Sequence, residues 1–237
     1  MTFDLSADQE AARDKARTFA TKRLTPHAAD IDRASATPAE IAREAVGLVE
    51  GSDAVATVTA LEEIAVVSGA VAVVAAAGSK PAAKAELAGL RGATLPEDSV
   101  RAHLALAAVA LGLGRAAIEQ ALSEIRRTDG TAPQGSEKPH WVIADAATEL
   151  EAARLMTRSA AQAIDRGDAH ADVAIARLMA SAAARVSVDA ALRIAGAAGY
   201  REGTLLERLS RDVRAISVLM GTEEQHRAIA AEGLLPG

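Results

Sequence analysis

At 237 residues, with a formal net charge of -6 and a pI near 5.5, the chain is long enough to bury a large core and has no basic field to steer nucleic acid. Half of it is apolar but only 2% is aromatic, which suits closely packed small-residue helices better than a β-sandwich. The lack of cysteine excludes disulfides, thiolate catalysis and zinc–thiolate sites, and the acidic start lacks the apolar run of a secretion signal, so cytoplasm is the expected compartment.

Capping boxes punctuate the chain: a side-chain oxygen accepts from the amide three residues on, while a Glu or Gln reaches back. Ser6 with Gln9 opens a helix predicted over 6–33, and Thr37 with Glu40, with Pro38 in the first helical position, opens one over 38–47. A third is predicted over 53–77. It includes the uncharged run 64–79, shorter than the roughly 20 residues of a membrane span and read as a buried helix, so no membrane partner is expected. After a helix over 81–90, the Gly/Pro-rich passage 89–96 divides the chain into an N-terminal helical domain, 1–95, and a C-terminal helical-bundle domain, 96–237. The second part is predicted to hold helices over 98–127, 139–166, 170–195, 205–219 and 223–233, the last two opened by Thr204 with Glu207 and Thr222 with Gln225. Long helices joined by short loops imply an all-α bundle.

Several motifs have local explanations. Gly112-Leu113-Gly114 is spaced like part of a dinucleotide loop but lies mid-helix, which points to close helix packing. The run 196–200, Gly-Ala-Ala-Gly-Tyr, reads as a helix end and turn, and Glu207 with Arg211 as an i,i+4 ion pair. Glu137 with His140 and Glu223 with His226 have the Glu-x-x-His spacing of di-iron bundles, but the predicted helix 170–195 has no Glu to complete such a site, so no metal is expected.

Taken in order, Gly196-x-x-Gly199-Tyr200, then Glu207-Arg208-x-x-Arg211-Asp212-x-Arg214, then Gly221-Thr222-x-Glu224-x-x-Arg227 resembles the end of the acyl-CoA dehydrogenase family, flavoproteins that oxidise an acyl-CoA across its α and β carbons. The helix beginning Ala144-Asp145, the turn 163–167 and the opening helix from Phe3 to Asp32 extend the resemblance to two blocks, roughly 3–92 and 98–233. In that family a β domain separates the helical blocks, and the residues between Gly92 and Asp98 leave no room for it.

The resemblance implies a carboxylate base immediately before Gly221-Thr222, where this chain has Met220. The family's alternative position, on the first long helix of the C-terminal block, aligns with Ala102. Glu97, Asp98 and Glu224 remain as displaced candidates, and His103 stands where a basic residue helps to hold CoA. The residues that the resemblance assigns to FAD are Arg126, Thr128, Arg193, Gly196, Thr222 and Glu224; Asp129 replaces an aromatic of that signature. In the family such contacts often reach a neighbouring subunit's flavin.

Three functions follow as alternatives: a degenerate or accessory subunit in acyl-CoA and flavin metabolism, an active FAD-dependent acyl-CoA oxidoreductase with a remodelled site, and a non-catalytic helical oligomerisation module. The expected partners are acyl-CoA and either a second copy of the chain or a complete acyl-CoA dehydrogenase.

Overall fold

Local chemistry explains how the first helix ends. In the computed structural model, which describes residues 4–34, 36–78, 100–127, 139–167 and 169–235, α1 (Ala7–Phe19) opens with the expected Ser6/Gln9 box. Pro26 supplies no amide for the helical ladder, and the chain passes through a π turn (Ala20–Leu24) and a 3-10 turn (Thr25–His27) before α2 (Ala28–Ala34). The Thr25 hydroxyl donates to the Ala20 carbonyl at 2.9 Å across this shift.

The next helix, α3 (Ala39–Gly47), corrects one expectation. Pro38 occupies the N-cap without a side-chain hydrogen bond, so Thr37 does not cap it; Glu40 instead accepts from Arg23 at 2.7 Å. The helix predicted over 53–77 is also two helices. α4 (Ala54–Ala65) is capped by Asp53, and α5 (Gly69–Ala77) by Ser68, whose hydroxyl accepts from the Val71 amide at 3.3 Å. Gly69, the first residue of α5, sits in a tight place: a Cβ there would lie 3.1 Å from Leu113 and 3.3 Å from Asp212, so those side chains would have to give by a few tenths of an ångström.

The long helices α6 (Val100–Arg127), α7 (Pro139–Ile164) and α8 (His170–Ala195) form the bundle, with α9 (Leu205–Val218) and α10 (Glu223–Glu232) laid against α8. α6 is the hub, packing on α4, α7 and α8. Its Gly112 meets α4 so closely that an added Cβ would sit 2.4 Å from the Glu62 carbonyl oxygen, and one at Gly114 would sit 2.8 Å from Leu150, so close helix packing accounts for the Gly-x-Gly spacing. A turn over 196–200 with Gly196 at φ 62° ends α8, as the sequence suggests. Among the described residues no strand occurs.

Charge joins the two parts of the chain. Glu62 and Glu63, buried on α4, receive Arg17 from α1, Arg115 from α6 and Arg154 from α7. Burial alone pushes the Glu63 carboxyl up, but the forks of Arg115 and Arg17 more than offset it and hold the group below its usual value. Glu207 and Arg211 form the expected pair at 2.6 Å, and Arg211 also grips Asp32 at 2.8 Å, tying α9 to α2. Thr204 caps α9, but Glu207 is engaged by Arg211, so only the hydroxyl half of that box is seen. The expected helix over 81–90, together with Glu97, Asp98, Thr128, Asp129 and Glu137, lies outside the described residues.

Candidate functional site

The turn between α9 and α10 gathers most of the residues singled out in the sequence. Arg177, 1% exposed on α8, donates to Ser181 and to the carbonyl oxygen of Ile216, and reaches that of Leu219 at 3.3 Å. It thereby adds a charged donor to the Ile216 carbonyl, which already accepts from the Leu219 amide at 3.3 Å, and to the Leu219 carbonyl at the C-terminus of α9. Burial, then the repulsion of Arg185, lower its pKa to about 10 despite the attraction of Glu223, so at neutral pH it is a buried cation. No carboxylate bonds it among the described residues; carbonyl and hydroxyl oxygens hold it.

Directly after this clamp comes Met220, half-buried against the core with φ 63°, followed by Gly221 at φ 120°. A left-handed backbone at an unbranched non-glycine residue costs about 1–2 kcal/mol, and the Arg177 clamp and the Thr222/Gln225 capping box fix it from both sides. The expected box at Thr222 is complete: the Thr222 amide donates to Gln225 Oε1 at 2.8 Å, and the Gln225 amide to the Thr222 hydroxyl at 3.4 Å.

Two pockets border the first turns of α6, one lined by Ala102 and the other by His103, successive residues that diverge by about 100° on the helix. Ala102 helps to wall the larger, about 320 Å³, with Val49, Val58, Ala75 and Leu104. Its charged lining residues are Glu50 and Arg101, and Arg101 pairs with Asp165 at 3.8 Å. His103 faces the smaller, about 170 Å³, with His170, His226, Val100, Val173, Ala174 and Ile229. The rings of His103 and His226 meet edge to face, centroids 5.0 Å apart.

His226 is 4% exposed, and its Nε2 has no hydrogen-bond partner among the described residues. Burial, then the nearby Arg177 and His103, lower its pKa to about 4, so its imidazole is neutral at physiological pH. A Cβ at Gly221 would lie 3.7 Å from that Nε2, so the imidazole abuts the turn that carries Met220. Neither His226 nor Arg177 was assigned a role in the site from the sequence. Arg177 could have been found: it shares the apolar stripe of Val173, Ala180, Ala184 and Val188 on α8, where a charge must be buried.

The other candidates lie apart from these pockets. Glu224 projects into solvent, 81% exposed, and pairs with Arg227 at 3.8 Å; hydrogen bonds from its own backbone amide and from the Thr222 hydroxyl hold its carboxyl below the usual range, so it is a poor base. Glu223 is taken up by Arg185 at 2.6 Å and Arg227 at 2.7 Å, which leaves the Glu-x-x-His spacing without a free carboxylate; among the described residues no cluster suits a metal ion. Arg126, Arg193 and Thr222 are exposed, Gly196 is half-buried, and none of these, nor Glu224, lines either pocket.

A model of the acyl-CoA dehydrogenase C-terminal domain matches residues 100–235. Cyclohex-1-ene-1-carbonyl-CoA dehydrogenase of Geobacter metallireducens is 34% identical over 137 residues, which cover 54% of this chain and 35% of that protein. A 3-(aryl)acrylate reductase of Clostridium sporogenes is 33% identical over 136 residues, covering 56% of this chain and 36% of that protein. The matched region thus spans about a third of each of these relatives. Butyryl-CoA dehydrogenase from Megasphaera elsdenii superposes with a TM-score of 0.82 at 16% identity, covering 100% of both chains, a likeness of fold.

Proposed function

The chain belongs to the acyl-CoA dehydrogenase family, and from that premise we propose that it is a degenerate or accessory member, working in association with a second copy or with a complete flavoprotein of the family. The observation that carries this reading is Met220. It stands where the resemblance places the base, and a thioether cannot accept the α-proton of an acyl thioester. Ala102 leaves the alternative position empty, and Glu224 faces solvent.

The residues that the resemblance assigns to FAD suit contact with a flavin held elsewhere better than a resident one. Arg126, Arg193 and Glu224 are exposed, and the Thr222 hydroxyl and amide are both occupied in capping α10. Bound in a complete relative, FAD would supply the hydride acceptor; no step in this chain is assigned to it. The larger pocket, apolar and walled by Val49, Val58, Ala75 and Leu104, supports retention of an acyl chain. Met179 and Val186, seven positions apart on α8 and 36% and 39% exposed, with Ala182 exposed between them, support association through that face.

The test is to purify the protein alone and record its flavin spectrum, its mass in solution and its acyl-CoA oxidation with an artificial electron acceptor. A colourless protein that oxidises no acyl-CoA, and that captures a flavoprotein of the family or self-associates, fits the proposal. A yellow protein with robust turnover supports the active, remodelled oxidoreductase instead. A colourless assembly that binds no acyl-CoA by calorimetry supports a purely structural module.

A further inference from the structure

Buried carboxyls meet two different environments in this fold. Glu62 and Glu63 are gripped by arginines from three helices, whereas Asp212, 4% exposed on α9, accepts no hydrogen bond among the described residues. Its Oδ2 lies against the start of α5, 3.3 Å from where a Cβ on Gly69 would stand, with Leu113 of α6 beside it. The arginines nearest to it are committed elsewhere. Arg211, its neighbour in the chain, pairs with Glu207 at 2.6 Å and with Asp32 of α2 at 2.8 Å. Arg208, one turn earlier on α9, donates instead to the carbonyl oxygen of Val67, in the link between α4 and α5, at 3.4 Å.

Three carboxyls, Asp32, Glu207 and Asp212, thus share their surroundings with two guanidiniums. Arg211 serves the first two, so Asp212 either keeps a proton or recruits Arg208. Burial pushes its pKa up to about 7; Arg208 and Arg211 oppose the rise, and Asp32 and Glu207 add to it. The other elements packed on α9 hold their charges elsewhere. α5 has no titratable residue, and on α6 Arg115 is engaged by Glu62, Glu63 and Glu119. On α8, Arg177 turns to Ile216 and Leu219, Arg185 takes Glu223, and Asp189 and Arg193 are exposed.

We propose that Arg208 and Asp212 form a pH-operated latch between α9 and the α4–α5 joint: with Asp212 protonated, Arg208 holds the Val67 carbonyl, and ionisation of Asp212 draws Arg208 back into a pair along α9 and frees the joint. Residues four apart on a helix are neighbours, so the exchange needs a change of Arg208 rotamer and no shift of α9. Val67 stands two residues before Gly69, and the nine-residue α5 runs from there to Ala75, Ala76 and Ala77, which wall the larger pocket. The latch therefore links pH to the footing of that wall. Because the native state holds this proton to about 7 against 3.8 in the unfolded chain, its stabilising effect is complete below the lower value and gone above the higher. The proposal does not depend on the accessory-subunit reading, because the latch involves neither flavin nor acyl-CoA.

The experiment follows the carboxyl carbons of the aspartate-labelled protein by NMR across the pH range, with amide hydrogen exchange of the same chain on either side of neutrality. One aspartate signal, absent from Asp212→Asn, should titrate near neutral pH. Protection of the Val71 and Ala72 amides, measured against that of α7, should fall about tenfold between about pH 6 and 8. In Asp212→Asn, which keeps the shape of the protonated acid, that protection should stay high at both pH values; in Arg208→Gln it should be low at both, because the tie to Val67 is never made. If neither variant folds, the wild-type titration decides. No aspartate midpoint above about pH 6 in the wild type, wild-type protection that ignores pH, or the same fall in Asp212→Asn would overturn the proposal.

Discussion

Replacing Glu63 with Gln separates the charge from the shape of the group that holds the two parts of the chain together. Glu63 is 4% exposed and accepts from Arg115 at 2.7 and 3.0 Å and from Arg17 at 2.9 and 3.2 Å. Arg17 is itself more than half exposed, so its share is that of a surface pair, at most about 1 kcal/mol. Arg115 is only 23% exposed, and each of its bonds to the carboxylate is charge-assisted, worth about 1.5–3 kcal/mol. Gln turns one acceptor into a donor aimed at a guanidinium, while the carboxylate's desolvation penalty is relieved and offsets part of the loss. The net expectation is a destabilisation of about 3 kcal/mol at neutral pH, read as a lower urea midpoint with an unchanged slope. Because the native state holds the Glu63 carboxyl below its usual value, this stabilisation is present above the unfolded value and disappears as pH falls through the native one. Wild type and Glu63→Gln should therefore converge in acid. A loss below about 0.5 kcal/mol at neutral pH, or a difference that persists undiminished in acid, would refute the network's role.

Gly112→Ala gains about 1 kcal/mol of helix propensity but drives a Cβ to 2.4 Å from the Glu62 carbonyl oxygen, so a net loss of about 2 kcal/mol is expected in urea unfolding, and a stabilised variant would contradict the packing. His226 binds its proton with a pKa of about 4 in the native state against 6.5 unfolded, so it favours unfolding increasingly as pH falls from 6.5 to 4 and has no effect above that window. Because its ring borders an open pocket, the full shift is discounted to about 2 kcal/mol; His226→Gln should flatten the acid side of the stability profile, and an unchanged profile would count against it. Arg177→Met should destabilise by about 2 kcal/mol and speed amide exchange at Leu219–Gly221, because the Ile216 and Leu219 carbonyls lose the charged donor that ties them to α8. Equal exchange rates would show that the turn holds itself.

Much of the helical framework can be read from the sequence, because caps act locally: Ser6, Thr204 and Thr222 open helices where capping places them. The break at Ser68 cannot be read there. It falls inside a Val-rich run that by itself reads as one buried helix, and Gly69 there lies close to Leu113 and Asp212, which are distant in sequence. The box at Thr37 does not form because Pro38 takes the N-cap, while Arg23, distant from it in sequence, binds Glu40. Met220 can be recognised only by its place between flanking motifs, and the pocket beside it is invisible without the fold, because His103, His170 and His226 are far apart in sequence. The Glu-x-x-His spacing drew attention to His226 for a metal, whereas the helix turns Glu223 towards Arg185 and Arg227 and leaves the imidazole to face the pocket.

The central claim is that the site before Gly221 has lost its base, and turnover by the protein alone tests it most directly. With short- and medium-chain acyl-CoA substrates, added FAD and an artificial electron acceptor, the account expects no acceptor reduction above the rate of a protein-free control. Sustained, substrate-dependent reduction would contradict it, whether or not it survives substitution of Glu224.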